Sequence, residues 1–274
     1  MKFELHCHSF HSRGSKIKWE CLSSPKDVIR TARWKGLDAI ALTDHRTTKG
    51  WKEAEMEAKK EGIIFIPGQE VHTREGHLLA LGIKRQITNG RPLKETVDEI
   101  HAQDGVAVAS HPFDIRDEGV GEGIRYADAV EVFNSLNLDR LSNKLAWKKA
   151  KRLGKPMVAG SDAHSMGMIG TSVNHAKAKD LEGILDAIRK GQISMERRYI
   201  STRVLVEWVR ERFLRSYYEV IEYINRNYNP VKAAFARFML NKFLKYRKIP
   251  WAFLANISLL LTGAYSLIKY IVRS

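Results

Sequence analysis

Six of the ten histidines in this 274-residue chain, together with two carboxylates, stand where apolar runs begin or end. They are His6, His8, His45, Glu70, His77, His111, Asp162 and His164. Imidazole nitrogen mixed with carboxylate oxygen is a donor set for zinc, manganese or iron. In Lys2-Phe3-Glu4-Leu5-His6-Cys7-His8 the two histidines are two residues apart, and strand side chains alternate faces, so both rings project from one side. Asp162 and His164 repeat that spacing around the small Ala163. Eight donors exceed the needs of one tetrahedral ion, and a carboxylate such as Glu70 can bridge, so the set implies two or three divalent ions. Any one of these histidines, taken singly, also reads as a satisfied core residue. Burying so many imidazoles and acids unpaired would be costly, which favours the metal cluster.

The elements that must position these residues follow from punctuation and periodicity. Ser24-Pro25-Lys26-Asp27 reads as a helix start, with a capping serine, proline at the first helical position and an acid in the first turn. That helix runs to about residue 35, and Gly36 ends it. The run 37–43 is almost wholly apolar, as expected of a strand covered on both faces, and leads into Asp44-His45. Helices are expected over 51–61, 92–103, 141–153 and 181–190. Strands are expected over 63–67, 76–83, 106–110, 129–133 and 156–160. Alternation of this kind predicts parallel β/α units. With about seven units and polar residues gathered at strand ends, a closed or nearly closed barrel is favoured over an open sheet, its chemistry at the C-terminal strand ends.

The ordered motifs His6-Cys7-His8-Ser9, Thr43-Asp44-His45, Gly68-Gln69-Glu70, Gly76-His77, Ser110-His111-Pro112 and Gly160-Ser161-Asp162-Ala163-His164 resemble those of the PHP (polymerase and histidinol phosphatase) family. The resemblance covers about residues 1–195. It implies an α/β fold, a distorted (β/α)7 TIM-like barrel holding up to three metal ions, and metal-dependent hydrolysis of phosphate esters, as in the small stand-alone members. It also implies that His6, His8, Glu70 and Asp162 share one ion, that His45 and His164 serve a second, and that Glu70, His77 and His111 serve a third. The family places an acid or histidine in the loop after its first motif for the second ion. Here the equivalent stretch reads Ser12-Arg13-Gly14-Ser15, with no carboxylate. His11, water, or weak or absent binding of the second ion are the alternatives.

On this reading, divalent cations (Zn, Mn or Fe) polarise the phosphate while a metal-bridged hydroxide attacks phosphorus in line. Asp44 is expected to orient an imidazole from behind, with helix capping as the alternative. Arg13, Arg46 and Arg116 lie in loops beside the motifs, and Arg116 is the favoured phosphate contact, a solvated surface arginine being its bland reading. Asn134 ends a strand and either reaches the site or caps the next turn.

Charge divides the chain unevenly. The formal net charge is +15, and residues 200–274 hold thirteen Lys and Arg against four acids, leaving +6 for the rest. Residues 196–248 are expected to form a basic amphipathic helical region, with one helix over 204–227 and another over 231–248. Residues 250–268 carry no charge, and 249–274 is expected to be a membrane-anchoring helix, a buried helix or dimer interface being the alternative. The lysines and arginines preceding it place the barrel on the cytoplasmic face of a membrane. Two cysteines without a Cys-x-x-Cys spacing argue against a disulfide framework, and no signal peptide is expected. The expected partners are thus a phosphorylated small molecule or nucleotide and a membrane. A nuclease or nucleotide phosphatase using the basic tail to hold nucleic acid is the alternative enzyme, and a non-catalytic scaffold module is the alternative from another class.

Overall fold

The computed structural model describes residues 1–13, 17–247 and 250–273. Gly14 and Ser15 of the loop singled out above, and Lys248 of the basic segment, lie outside the described residues.

The chain begins with β1 (Lys2–Glu4), α1 (Pro25–Trp34), β2 (Ala39–Leu42), α2 (Trp51–Glu61) and β3 (Ile64–His72). The start of α1 is a capping box: the Ser24 hydroxyl accepts from Asp27 N while the Asp27 side chain reaches back to Ser24 N. β1, β2 and β3 are parallel neighbours. Alternating residues of β2 go to different cores: Ala39 and Ala41 pack with Phe3, Leu5 and Ile66, whereas Ile40 and Leu42 pack with Val28, Ile29 and Ala32 of α1. Both faces of the strand are covered, which is why it reads as continuously apolar.

The run of parallel units is interrupted after β3. β4 (His77–Leu81) follows after only four residues, too few for a crossover helix, so it pairs antiparallel with β3. α3 (Leu93–His101) leads to β5 (Val106–Ala109), again antiparallel to β4. The expectation of uniformly parallel strands therefore fails at β4, and the failure is useful. A reversed strand delivers its first residue, His77, to the rim where the other strands deliver their last. β6 (Ala129–Asn134), α4 (Arg140–Arg152) and β7 (Met157–Gly160) restore parallel pairing.

β8 (Val173–His175) pairs antiparallel with β1, α5 (Leu181–Arg189) follows, and β9 (Ser194–Glu196) pairs with β8. Neither three-residue strand was anticipated, since each is too short to show a period. The sheet order is β7-β6-β5-β4-β3-β2-β1-β8-β9. The two ends of the seven-strand run meet beyond β1, where Cys7 bridges Ala163: His8 N donates to Ala163 O at 2.9 Å and Ala163 N to His6 O at 3.2 Å. Below that point the Asn174 side chain stands in for a strand, accepting from Ala159 N at 2.9 Å and donating to Ala159 O at 2.7 Å. The result is a nearly closed, distorted barrel. Ile184, Leu185 and Ile188 of α5 pack against the face carrying Phe3, Leu5 and Ala39.

Among the described residues four helices follow: α6 (Thr202–Arg215), α7 (Tyr217–Asn227), α8 (Pro230–Lys245) and α9 (Trp251–Arg273). The single helix expected over 204–227 is broken at Ser216. Its apolar stripe serves two partners: Val204, Leu205 and Trp208 pack on the barrel, whereas Val220 and Ile224 pack with Ala233 and Leu240 of α8. Asn229 caps α8 through its side chain to Lys232 N.

Replacing Asn174 by alanine strands the buried N–H and C=O of Ala159 at the seam. We expect Asn174→Ala to lose about 1–3 kcal/mol per stranded group, seen in urea unfolding as a lower midpoint with an unchanged slope.

Candidate metal centre

All eight residues anticipated as metal donors converge at one rim of the barrel. Glu70, on β3, lies at their centre, with each oxygen facing a different group of rings. Its Oε2 is 2.9 Å from His45 Nδ1, 3.3 Å from His6 Nε2 and 3.4 Å from His8 Nε2. Its Oε1 is 3.1 Å from His77 Nδ1 and 3.0 Å from His111 Nε2. Asp162 Oδ1 lies 3.4 Å from His6 Nε2, 3.2 Å from His8 Nε2 and 3.5 Å from His164 Nδ1. Burial alone would raise the pKa of both carboxyls. The surrounding imidazoles outweigh it and hold both well below the usual carboxylate range.

The backbone is bent to achieve this. His111 and Asp162 have positive φ, 26° and 53°, a region that non-glycine residues rarely adopt and that clusters at functional sites.

What lies behind the rings fixes which nitrogen faces the centre. The Ser12 hydroxyl donates its one proton to Asp44 Oδ1 at 2.9 Å, so at 3.0 Å from His8 Nδ1 it accepts, and the lone pair of His8 is left on Nε2. His6 Nδ1 donates to Glu131 Oε1 at 2.9 Å, and His164 Nδ1 donates to the Asp162 carbonyl at 2.8 Å. His6, His8 and His164 thus all present Nε2 inward, and none of those three atoms has a hydrogen-bond partner among the described residues despite full burial. Glu70 Oε2 and His77 Nδ1 are likewise buried without one among the described residues. Buried polar atoms are seldom left so, and a cluster of lone-pair donors in this condition fits divalent cations. His6-His8-Glu70, His8-His45-His164, His6-His111-Asp162 and Glu70-His77-His111 each bring three donor atoms within 4.8 Å of one another.

Asp44 sits behind this layer. It accepts from Ser9 N at 2.6 Å, Ser9 Oγ at 2.7 Å and Ser12 Oγ, and it reaches an imidazole, that of His8, through Ser12. Burial raises its pKa, with the serine contacts opposing. Asn134 does reach the site: its amide donates to Glu131 Oε2 at 3.0 Å and to Asp162 Oδ2 at 3.3 Å. Arg13, Arg46 and Arg116 line a cavity of about 260 Å³ together with His45, His77, His111, Asp162 and His164. Arg116 Nε lies 3.2 Å from Asp114 and 3.0 Å from Glu118.

Three residues were not singled out from the sequence. Glu20 Oε2 lies 3.5 Å from His45 Nε2, so the loop after the first motif does bring an acid to the site, contrary to the expectation that it lacks one. Its position is set from far along the chain: α6 holds the backbone there, Trp208 Nε1 donating to Glu20 O and Arg212 Nε to Trp19 O, both at 2.9 Å. No local pattern marks it. Glu131 did carry a signal, as the lone acid in the apolar run Ala129-Val130-Glu131-Val132. It also bonds His111 N at 2.7 Å, and a Cβ on Gly160 would lie 2.0 Å from its Oε1, so glycine there makes room for it. His72, two residues beyond Glu70 and so on the same strand face, has Nε2 3.1 Å from His45 Nδ1; burial, with His77 and His45 adding, lowers its pKa to about 3.

Burial and the neighbouring imidazoles hold His8 below the ordinary histidine pKa, and burial does the same for His164. In metal-free protein at neutral pH both rings should therefore be uncharged and protonated on Nδ1, read from long-range nitrogen–proton NMR couplings. Ser12→Ala should release His8 to a mixture of tautomers and leave His164 unchanged.

The barrel and its rim have counterparts. A PHP domain model matches residues 4–123, and a PHP-associated model matches residues 140–193. An uncharacterised protein of Methanocaldococcus jannaschii is 32% identical over 155 residues, which are 54% of this chain and 91% of that protein. A 5'-3' exoribonuclease of Haemophilus influenzae is 38% identical over 88 residues, 31% of this chain and only 30% of the enzyme. Among solved structures, a two-domain protein of Bacteroides vulgatus, described as containing a predicted PHP-like metal-dependent phosphoesterase, superposes with a TM-score of 0.59 at 20% identity, over 72% of this chain and 65% of that one. In sequence and in fold alike, this chain belongs to the PHP domain family.

Proposed function

We propose that the chain is a metal-dependent phosphoesterase that removes a phosphoryl group from a small phosphate ester. The observation that carries this reading is the arrangement around Glu70. Two groups of imidazoles share one buried carboxylate, and among the described residues Glu70 Oε2, His6 Nε2, His8 Nε2 and His77 Nδ1 are buried there without a hydrogen-bond partner, beside a cavity lined by three arginines. Divalent cations, when bound, supply Lewis-acid polarisation of the phosphate and lower the pKa of water. His6, His8, Glu70 and Asp162 would hold one ion, and Glu70, His77 and His111 another. His45 and His164 would hold a third, with Glu20 as the acid that the loop was expected to lack. Mixed nitrogen and oxygen donors suit zinc, manganese or iron.

The chain's own groups do the rest. Arg13, Arg46 and Arg116 offset the phosphate charge, and a guanidinium matches two phosphate oxygens at once. Burial and Glu118, Asp162 and Asp114 act in opposite directions on Arg116, and the acids win, keeping it protonated. Glu131, Ser12 and Asp44 keep the rings from rotating. The cavity of about 260 Å³ is small, and its lining of arginine, histidine and acid includes no tryptophan, tyrosine or phenylalanine among the described residues. A phosphate head and a short polar remainder suit it better than a stacked run of bases.

Hydrolysis of a nucleic-acid end is a second reading, favoured by the stretch shared with the exoribonuclease. Monoesters, diesters and oligonucleotides offered to the metal-loaded protein separate the two. We expect turnover of a monoester; oligonucleotide cleavage that weakens steeply with salt would favour the second reading instead.

Elemental analysis tests the site independently of turnover. Wild type should carry two or three metal equivalents. Asp162→Ala should lose metal together with activity. Glu20→Ala should retain the ions around Glu70 and lose about one equivalent. Glu131→Gln should weaken metal affinity about 10–100-fold, as removal of groups that orient metal-binding histidines usually does. Metal absent from wild type, or present without turnover of any ester, would move the non-catalytic scaffold reading ahead.

A further inference from the structure

α9 is built inside out for a helix on a water-soluble protein. Ala252, Ala255, Leu259, Thr262, Ser266 and Lys269 recur at alternating three- and four-residue spacing and form its less exposed side. Apart from Leu259 and Lys269, these are small residues. The opposite side carries the large apolar ones: Leu260 is 75% exposed, Leu261 67%, Phe253 62% and Ile271 63%. A helix of a soluble domain puts its large apolar residues inward. Trp251–Ile271 is also long and apolar enough to cross a membrane, as the sequence led one to expect.

The contacts of α9 argue against crossing. Ser266 Oγ donates to Asp139 Oδ1 at 3.0 Å, at the cap of α4. Lys269 Nζ donates to Ile115 O at 2.8 Å and to Asp117 Oδ2 at 2.7 Å. Near its start Trp251 Nε1 donates to Tyr246 O at 2.8 Å and the Trp251 ring packs on Phe243 of α8. A helix of 23 residues, about 34 Å long, fastened at both ends lies along the body of the protein.

α8 supplies the complementary charge. Residues 230–274 contain eight Lys and Arg and no Asp or Glu. On α8 the basic groups are interleaved with exposed aromatics: Lys242 Nζ sits 5.3 Å from the Phe238 ring centre and 4.7 Å from that of Tyr246. Phe238 is itself 56% exposed. Cations beside outward aromatics, next to a bare apolar helix, match the boundary between anionic headgroups and acyl chains. A second copy of this chain would instead set basic face against basic face.

We propose that α8 and α9 together form a surface that lies on an anionic lipid bilayer, with α9 embedded lengthwise in the headgroup–acyl boundary rather than spanning it. The inference does not rest on the phosphoesterase reading.

The test is co-flotation of the full chain with vesicles of phosphatidylcholine alone or mixed with phosphatidylglycerol. Wild type should float with the anionic vesicles. Leu260→Glu with Ile268→Glu should weaken that binding about tenfold or more. Lys242→Glu with Lys245→Glu should weaken it about fivefold per lysine removed. Unchanged far-ultraviolet circular dichroism would show that each variant is folded. Wild type that ignores both kinds of vesicle, or an apolar variant that binds as well as wild type, would overturn the proposal. A concentration-dependent dimer that the apolar variant abolishes, without lipid binding, would overturn it in favour of a second copy. Resistance to alkaline extraction with a C-terminus cleaved from the far side of the vesicle would overturn the lengthwise placement in favour of a spanning helix.

Discussion

A single buried carboxylate organises this protein. Glu70 meets five imidazoles, three on one oxygen and two on the other. Such a group is unfavourable in the absence of opposite charge, since Glu70 Oε2, His6 Nε2, His8 Nε2 and His77 Nδ1 have given up water without gaining a hydrogen-bond partner among the described residues. The barrel can be understood as the frame that holds this arrangement together. β1, β3, β5 and β7 all run toward the rim, and β4 is reversed so that the histidine at its start reaches the same place. That reversal is possible because only four residues join β3 to β4.

The frame does more than bring donors close; it also chooses their tautomers. Three inward-facing Nε2 atoms depend on an acceptor behind Nδ1: Glu131 for His6, Ser12 backed by Asp44 for His8, and the Asp162 carbonyl for His164. These acceptors come from different elements, so the barrel wall and the orienting layer are one structure. Gly160 shows how tight the layer is, because the Glu131 carboxylate occupies the space a side chain would need. The left-handed backbone at His111 and Asp162 belongs to the same economy of space, strain being accepted where it aims a donor.

What the sequence made readable was whatever a strand end advertises. Histidines at two-residue spacing, apolar runs and helix caps are local, and they located the eight side chains that gather at the rim and most of the barrel. The antiparallel β4 was hidden because its residues look like any buried strand, and only the shortness of the preceding connection marks its direction. β8 and β9 were hidden by length. Glu20 was hidden because its placement depends on Trp208 and Arg212, almost two hundred residues away. Glu131 and His72 were readable, since an acid in an apolar strand needs a partner and the residue two beyond Glu70 shares its face. Neither falls in a recognisable motif.

The dependence of Glu20 on α6 changes how the C-terminal helices relate to the barrel. A boundary near residue 195 marks where the sheet ends, yet α6 continues the packing, with Trp208 5.5 Å from the His164 ring and the partly buried Val204 and Leu205 packed against the core beside α1. α9 in turn grips the loop that carries Arg116, through Lys269. Two loops that rim the cavity are therefore held by helices outside the barrel. The polar contacts involved are few, each contributing about 1 kcal/mol net, so together they can shift the placement of those loops by a few kcal/mol while leaving the barrel's apolar core intact. α6 and α9 thus set the placement of two loops at the cavity rim, and α6 also buries apolar surface against the barrel.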